Sequence, residues 1–145
     1  MLAFVDTNVI VYAKVAPTAE LSQACSAVLR AIGGGAIRCR ASVAVIEEVW
    51  HLELRGRPAG LDGTANDAYL LFTPLLAVTD EILRDSLAID AGSLGSNDRV
   101  HASTCAAHGI DTILSADAGF DGVAGLRRVD PLDRDAVAAL TREEA

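Results

Sequence analysis

The chain is short of several features that usually announce a function. It has a single lysine, Lys14, against eleven arginines. A P-loop needs a lysine followed by Ser or Thr after its glycines, and Gly33-Gly34-Gly35 runs into Ala36-Ile37 instead, so that nucleotide-binding reading is excluded. Cysteine is scarce. Cys25, Cys39 and Cys105 are far apart and no CxxC occurs, which removes the common zinc and dithiol motifs and leaves three reduced, buried thiols as the expectation. No apolar run approaches the ~18 residues of a membrane span. The N-terminus has no basic leader region, and Asp6 interrupts its first apolar run, so neither a membrane span nor a signal peptide is expected and the cytoplasm is the expected compartment. Internal repeats and low-complexity tracts are missing too. Positive charge is in deficit, with a net charge of −8. This excludes a protein that coats polyanions by bulk charge. It leaves open an enzyme acting on nucleic acid through a carboxylate cluster, whose charge a metal ion neutralises. The arginines suit bidentate phosphate contacts, although a GC-rich genome would supply them equally well.

What is present is a core. With 145 residues, 51% hydrophobic and 22% charged, the chain is expected to form one domain over residues 1–145. Short apolar strands are expected at 2–5, 36–41, 75–78, 112–114 and 127–129. Helices are expected from about Asn8, over 18–32 with Thr18 as cap, over 43–54 capped by Ser42, and over 64–73. Further helices are expected from Thr79 or Asp80 to about Ala91, from Asp98 to His108 capped by Ser96 or Asn97, and over 132–141. Strands alternating with helices imply an α/β fold with a mostly parallel central sheet flanked by helices.

The opening LAFVDTNVIVY raises a question. Asp6 lies between two stretches that both look buried, and burying an unpaired carboxylate costs several kcal/mol or shifts its pKa. It either caps a helix or sits at a strand end facing a ligand. In a parallel sheet ligands gather outside the carboxyl ends of the strands. Asp6 follows the first strand and Asp117 follows the strand at 112–114, so both fall at one edge of the sheet. Asp98 opens a helix after a Gly-containing break, where the helix dipole alone would favour an acid. Glu48 lies on the helix after Ser42. At ~100° per residue, Val45, Ile46, Val49, Trp50 and Leu52 define an apolar arc with Glu47 and Glu48 on opposite rims, so periodicity does not choose between them. Each acid has an ordinary reading by itself. Four acids converging on one crevice do not, because carboxylates in proximity repel. A hard divalent cation, Mg²⁺ or Mn²⁺, accounts for the set, since it takes oxygen ligands and works on phosphoryl groups.

In order and spacing, FVDTNVIVY, SVAVIEEVW, NDRVHASTCAAHGIDTILSADAGFD and RRVDP resemble a PIN domain of the VapC toxin type, the ribonuclease half of VapBC toxin–antitoxin pairs. The resemblance covers nearly the whole chain. It implies a PIN-like three-layer sandwich and a metal-dependent endoribonuclease whose catalytic acids are Asp6, Glu48, Asp98 and Asp117. Glu48 is preferred over Glu47 because the family's second acid comes six residues after a helix-opening Ser or Thr, here Ser42. Asp6, Asp98 and Asp117 are implied as ligands to Mg²⁺ or Mn²⁺, with Thr7, Asn8 and Ser115 as supporting polar groups. Also implied are RNA as substrate, products with a 5′-phosphate and a 3′-hydroxyl, a homodimer, and a VapB-type antitoxin whose arginine occupies the cleft. Two positions depart from the family. Arg99 stands where relatives carry a small apolar residue, and Asp121 is an extra acid near the fourth; both bear on substrate preference. His101, one turn beyond Asp98, is expected to pack under the site rather than bind metal.

Rival readings are weaker. A haloacid-dehalogenase-type phosphatase wants a second Asp at position 8, which is Asn8. A receiver domain wants a lysine after its last strand, and Lys14 is the only lysine. A housekeeping RNA-processing PIN nuclease and a catalytically silent PIN binding module remain as alternatives within the same fold.

Overall fold

A computed structural model describes residues 1–141. Four strands, β1 (Leu2–Val5), β2 (Arg38–Arg40), β3 (Thr112–Leu114) and β4 (Arg127–Val129), form one parallel sheet in the order β2-β1-β3-β4. Seven α-helices accompany it among the described residues: α1 (Thr7–Tyr12), α2 (Ala19–Gly33), α3 (Val43–Arg55), α4 (Thr64–Phe72), α5 (Asp80–Leu87), α6 (Ser96–Ala107) and α7 (Arg134–Thr141). A short 3₁₀ helix, Ala118–Gly122, follows β3. Ala3, Phe4 and Val5 of β1 are all fully buried, as an interior parallel strand covered on both faces requires.

Helix starts follow local chemistry. Thr18, Ser42 and Thr79 accept from the amides of Leu21, Val45 and Ile82 and so cap α2, α3 and α5. Glu53, which falls within the apolar arc of α3, turns its carboxylate to the Ala65 amide at 2.9 Å and caps α4, whose own cap residue Gly63 has no side chain.

The strand order fixes where a site can form. From β1 the chain crosses to β2 on one side, and from β3 it crosses to β4 on the other. The crevice between the carboxyl ends of β1 and β3 is therefore the topological switch point of the sheet, the usual ligand position in open α/β folds. The Asp6 amide donates to the Leu114 carbonyl at 2.9 Å and holds the two strand ends together.

Some expectations are corrected. Residues 75–78 are not a strand. Only Ser42 and Leu76 form a bridge, because β2 ends at Arg40 and α3 begins at Val43, leaving nothing more to pair with. Helix α5 stops at Leu87 rather than near Ala91. The α6 cap is Gly95, with no side-chain cap bond, so Ser96 and Asn97 lie inside the first turn.

Candidate metal centre

The opening question about Asp6 has both answers. Asp6 ends β1 and is the N-cap of α1, its Oδ1 accepting from the Thr7 amide at 2.7 Å. Its other oxygen, Oδ2, accepts the Ser115 hydroxyl proton at 2.7 Å. Ser115 is fully buried, and its oxygen in turn accepts from the Asp117 amide at 3.0 Å and from Asn8 Nδ2 at 3.3 Å. The donor and both acceptor positions of that hydroxyl are thus in use. Asn8 Oδ1 accepts from the Ala116 amide at 3.2 Å, so Asn8 and Ser115 lock the loop after β3 to the start of α1.

The acids gather at this junction. Asp98, in the first turn of α6, lies close to Asp6 and His101, and one donor atom from each of the three falls within 4.8 Å of the others. Glu48 faces the same point, with Oε2 at 3.9 Å from His101 Nε2. Asp117 is exposed at the rim beside Asp98, and its Oδ1 accepts from the Gly119 amide at 2.8 Å. All four acids predicted from the sequence are therefore neighbours, although Asp117 stands outside the tightest group of donors and His101 stands inside it.

The electrostatics match the geometry. Burial, opposed by the Ser115 hydrogen bond and reinforced by Asp98 and Glu48, pushes the Asp6 carboxyl up to about 7. Burial and the neighbouring Asp117 and Glu48 push Asp98 up to about 6. A carboxylate in a first helical turn is normally favoured by the dipole, and here burial first and the neighbouring acids second outweigh that. Glu48 is also raised, by burial, against the opposing influence of the Thr7, Asn97 and His51 side chains. The Thr7 hydroxyl lies beside Glu48 but is buried without a well-formed hydrogen bond. His101 is fully buried, and burial pushes its imidazole down to about 4, so the ring is neutral at physiological pH. Buried carboxylates that repel one another, next to a neutral imidazole with orphaned nitrogens, fit a divalent cation.

The two departures from the family have structural partners. All of the bonding capacity shown for Arg99 is directed backwards. Its guanidinium donates to the carbonyls of Leu94 at 2.7 Å, Gly92 at 2.9 Å and Ile89, clamping the turn that leads into α6. Asp121 is held by Arg128 at 2.8 Å, and Arg128 also donates to the Ser115 carbonyl at 3.0 Å. That hydrogen bond to Arg128 lowers the Asp121 pKa, the reverse of what the clustered acids show.

Sequence reasoning missed the place of Asn97, and it expected His101 to pack under the site without seeing that its ring nitrogens lack partners. Asn97 was read as a cap and instead lies beside the Glu48 carboxylate. The i, i+3 spacing of Asp98 and His101 was the signal available for the second.

Solved structures share this fold. VapBC2 of Rickettsia felis, bound to a DNA fragment from its promoter, matches with a TM-score of 0.63 at 14% identity, over 90% of this chain and 98% of that one. VapC20 of Mycobacterium tuberculosis, a toxin that cleaves the sarcin–ricin loop, matches with a TM-score of 0.61 at 19% identity, over 86% and 98%. FitAcB of Neisseria gonorrhoeae matches with a TM-score of 0.57 at 17% identity, over 90% and 99%. No curated protein sequence matches the chain. Residues 3–126 match the family model described as PIN domain, and with the parallel sheet and the acids gathered at its switch point, the chain belongs to the PIN domain family.

Proposed function

We propose that the protein is a divalent-metal-dependent endoribonuclease, the toxin of a type II toxin–antitoxin pair. The observation that carries this reading is the convergence of Asp6, Glu48, Asp98 and Asp117 on one crevice, where burial raises the pKa of Asp6, Glu48 and Asp98, and neighbouring carboxylates raise Asp6 and Asp98 further. Asp6 and Asp98, with Asp117 at the rim, would hold Mg²⁺ or Mn²⁺, which when bound polarises a phosphodiester and activates water. Glu48 completes the site, as a ligand or by orienting the attacking water. Ser115 and Asn8 keep Asp6 and the 115–117 loop in register. Hydrolysis then leaves a 5′-phosphate and a 3′-hydroxyl.

RNA as the substrate draws support from VapC20, a structural neighbour that cleaves the sarcin–ricin loop. The purified protein should cut structured RNA with Mg²⁺ or Mn²⁺ and stop in EDTA. Undiminished cutting in EDTA sinks the mechanism, and no cutting under any metal would favour a silent binding module.

An antitoxin partner draws support from the VapBC2 and FitAcB structures among the neighbours. The surface also has apolar groups to cover. Val43, Trp50 and Leu54 on α3, and Tyr69 and Leu70 on α4, are between 46% and 71% exposed. We infer that the free protein is a homodimer in the cytoplasm, with an antitoxin arginine able to replace the metal's charge among the acids. Light scattering at micromolar concentration should report twice the 15.1 kDa of one chain. A monomer would count against the dimer while leaving the nuclease untouched. Among the described residues no helix is long and apolar enough to cross a membrane.

A further inference from the structure

We propose that His101 supplies a nitrogen ligand to the cation held by Asp6 and Asp98, making this a mixed nitrogen–oxygen site. The proposal rests on the reading of the acids as a metal centre and adds a donor to it.

His101 lies one helical turn after Asp98 on α6 and is fully buried, its ring tilted against Phe4 with centroids 5.7 Å apart. Neither ring nitrogen has a hydrogen-bond partner among the described residues. Leaving a buried polar group without a partner is destabilising, so a histidine retained in that condition calls for a partner. The position of Nε2 says which. It is 3.8 Å from Asp6 Oδ1 and 3.9 Å from Glu48 Oε2, too far to donate to either. Two donors bound to one ion at ~2.1 Å lie between ~3.0 Å and ~4.2 Å apart, depending on whether they are adjacent or opposite. The Asp6–His101 separation falls inside that interval, and Asp98 completes the group within 4.8 Å.

A positioning role, with His101 donating to Asp6, would require the ring to advance by about 1 Å to reach an ordinary hydrogen bond. Ligation asks for no such movement, because the present separation already fits two donors on one ion.

A nitrogen donor changes what the site selects. Mg²⁺ prefers an all-oxygen shell, whereas imidazole suits the borderline transition ions. The site should therefore favour Mn²⁺ over Mg²⁺, and by more than its carboxylates alone would give.

The test is pulsed EPR on tag-free protein loaded with Mn²⁺ alone. Bound Mn²⁺ should show imidazole ¹⁴N coupling, which becomes a ¹⁵N coupling when only the histidines carry the heavier isotope. His51 and His108 are both exposed, so the double variant His51→Gln/His108→Gln leaves His101 as the sole histidine, and the coupling should persist there. His101→Gln should lose it and bind Mn²⁺ ~10–100-fold more weakly, with a smaller loss for Mg²⁺. Should His101→Gln fail to fold, the double variant still decides. Stoichiometric Mn²⁺ without nitrogen coupling in that variant would refute His101 as a ligand and leave the acidic centre standing. Absence of any Mn²⁺ binding would remove the acidic centre, and the proposal with it.

Discussion

Replacing Asp6 with Asn should lower single-turnover RNA cleavage by roughly 1,000-fold, on the scale of losing a metal-site or acid–base group, while making the metal-free protein more stable at pH 8. The first half follows from position, because Asp6 is the buried member of the acidic group and one of the three residues whose donor atoms lie within 4.8 Å of one another. The second half follows from its carboxyl being pushed up to about 7. Between its ordinary value of 3.8 and about 7, the folded metal-free protein holds a proton that the unfolded chain releases. Stability is therefore fully present below the lower value and is lost as pH rises through the higher one. Asp98, raised to about 6, adds in the same direction. At pH 8 the charged Asp6 costs the fold roughly 2–4 kcal/mol, which Asn relieves. Against this, Asn must replace an acceptor for the Ser115 hydroxyl, at a cost of about 1 kcal/mol. The variant should accordingly melt higher than the native protein at pH 8 in EDTA, and that advantage should shrink as pH falls through about 7 and be gone below 3.8, where Asp6 is protonated in both the folded and the unfolded chain. Added Mn²⁺ should reverse the order at pH 8. A variant that melts far lower across that range would make Asp6 a structural residue.

How much of this was readable beforehand depended on whether the cause was local. Thr18, Ser42 and Thr79 act on amides three residues ahead, so the starts of α2, α3 and α5 were legible. The meeting of Asp6 with the Ser115-Ala116-Asp117 loop was legible as well, because parallel strands must bring their carboxyl ends to one edge. The fate of Arg99 was not. Its partners are carbonyls five to ten residues upstream, in a turn whose path no propensity encodes, so the sequence marked Arg99 only as a departure bearing on substrate preference. Residues 75–78 read as a strand by composition, yet strand formation needs an available neighbour, and β2 is only three residues long. His101 was expected under the site and is fully buried there, but its unpartnered ring nitrogens were not legible. Most residues of α6 are small or polar, so its pattern marks no clear buried face, and only the packing of Phe4 on the central strand shows that this turn is the floor of the crevice. Neutral, buried and unpartnered are properties of the assembled site, not of the segment NDRVHAS.

The choice between Glu47 and Glu48 turns on which rim of α3 faces the switch point. Helical periodicity left it open, and only the family register from Ser42 favoured Glu48. The geometry separates them. The Glu48 side chain is 21% exposed, with Oε2 at 3.9 Å from His101 Nε2, and its charge contributes to the raised pKa of both Asp6 and Asp98. Glu47 is exposed and lies along a shallow groove with Val43, Ile46, Trp50, Tyr69 and Leu75, on the side that leads to α4. Glu48→Gln should therefore lower single-turnover cleavage at saturating Mn²⁺ by at least ~100-fold, as expected for a general base or a group that completes a metal site. Glu47→Gln should change it by less than ~10-fold, because a surface substitution there touches none of the acids. Both replacements keep the side-chain volume, so both proteins should fold. Removing the Glu48 charge should also let Asp6 and Asp98 ionise more readily, moving the loss of metal-free stability to lower pH than in the native protein. Glu47→Gln should leave that profile in place. A dead Glu47→Gln beside an active Glu48→Gln would mean that the other rim of α3 carries the chemistry, and that the six-residue register from Ser42 is off by one.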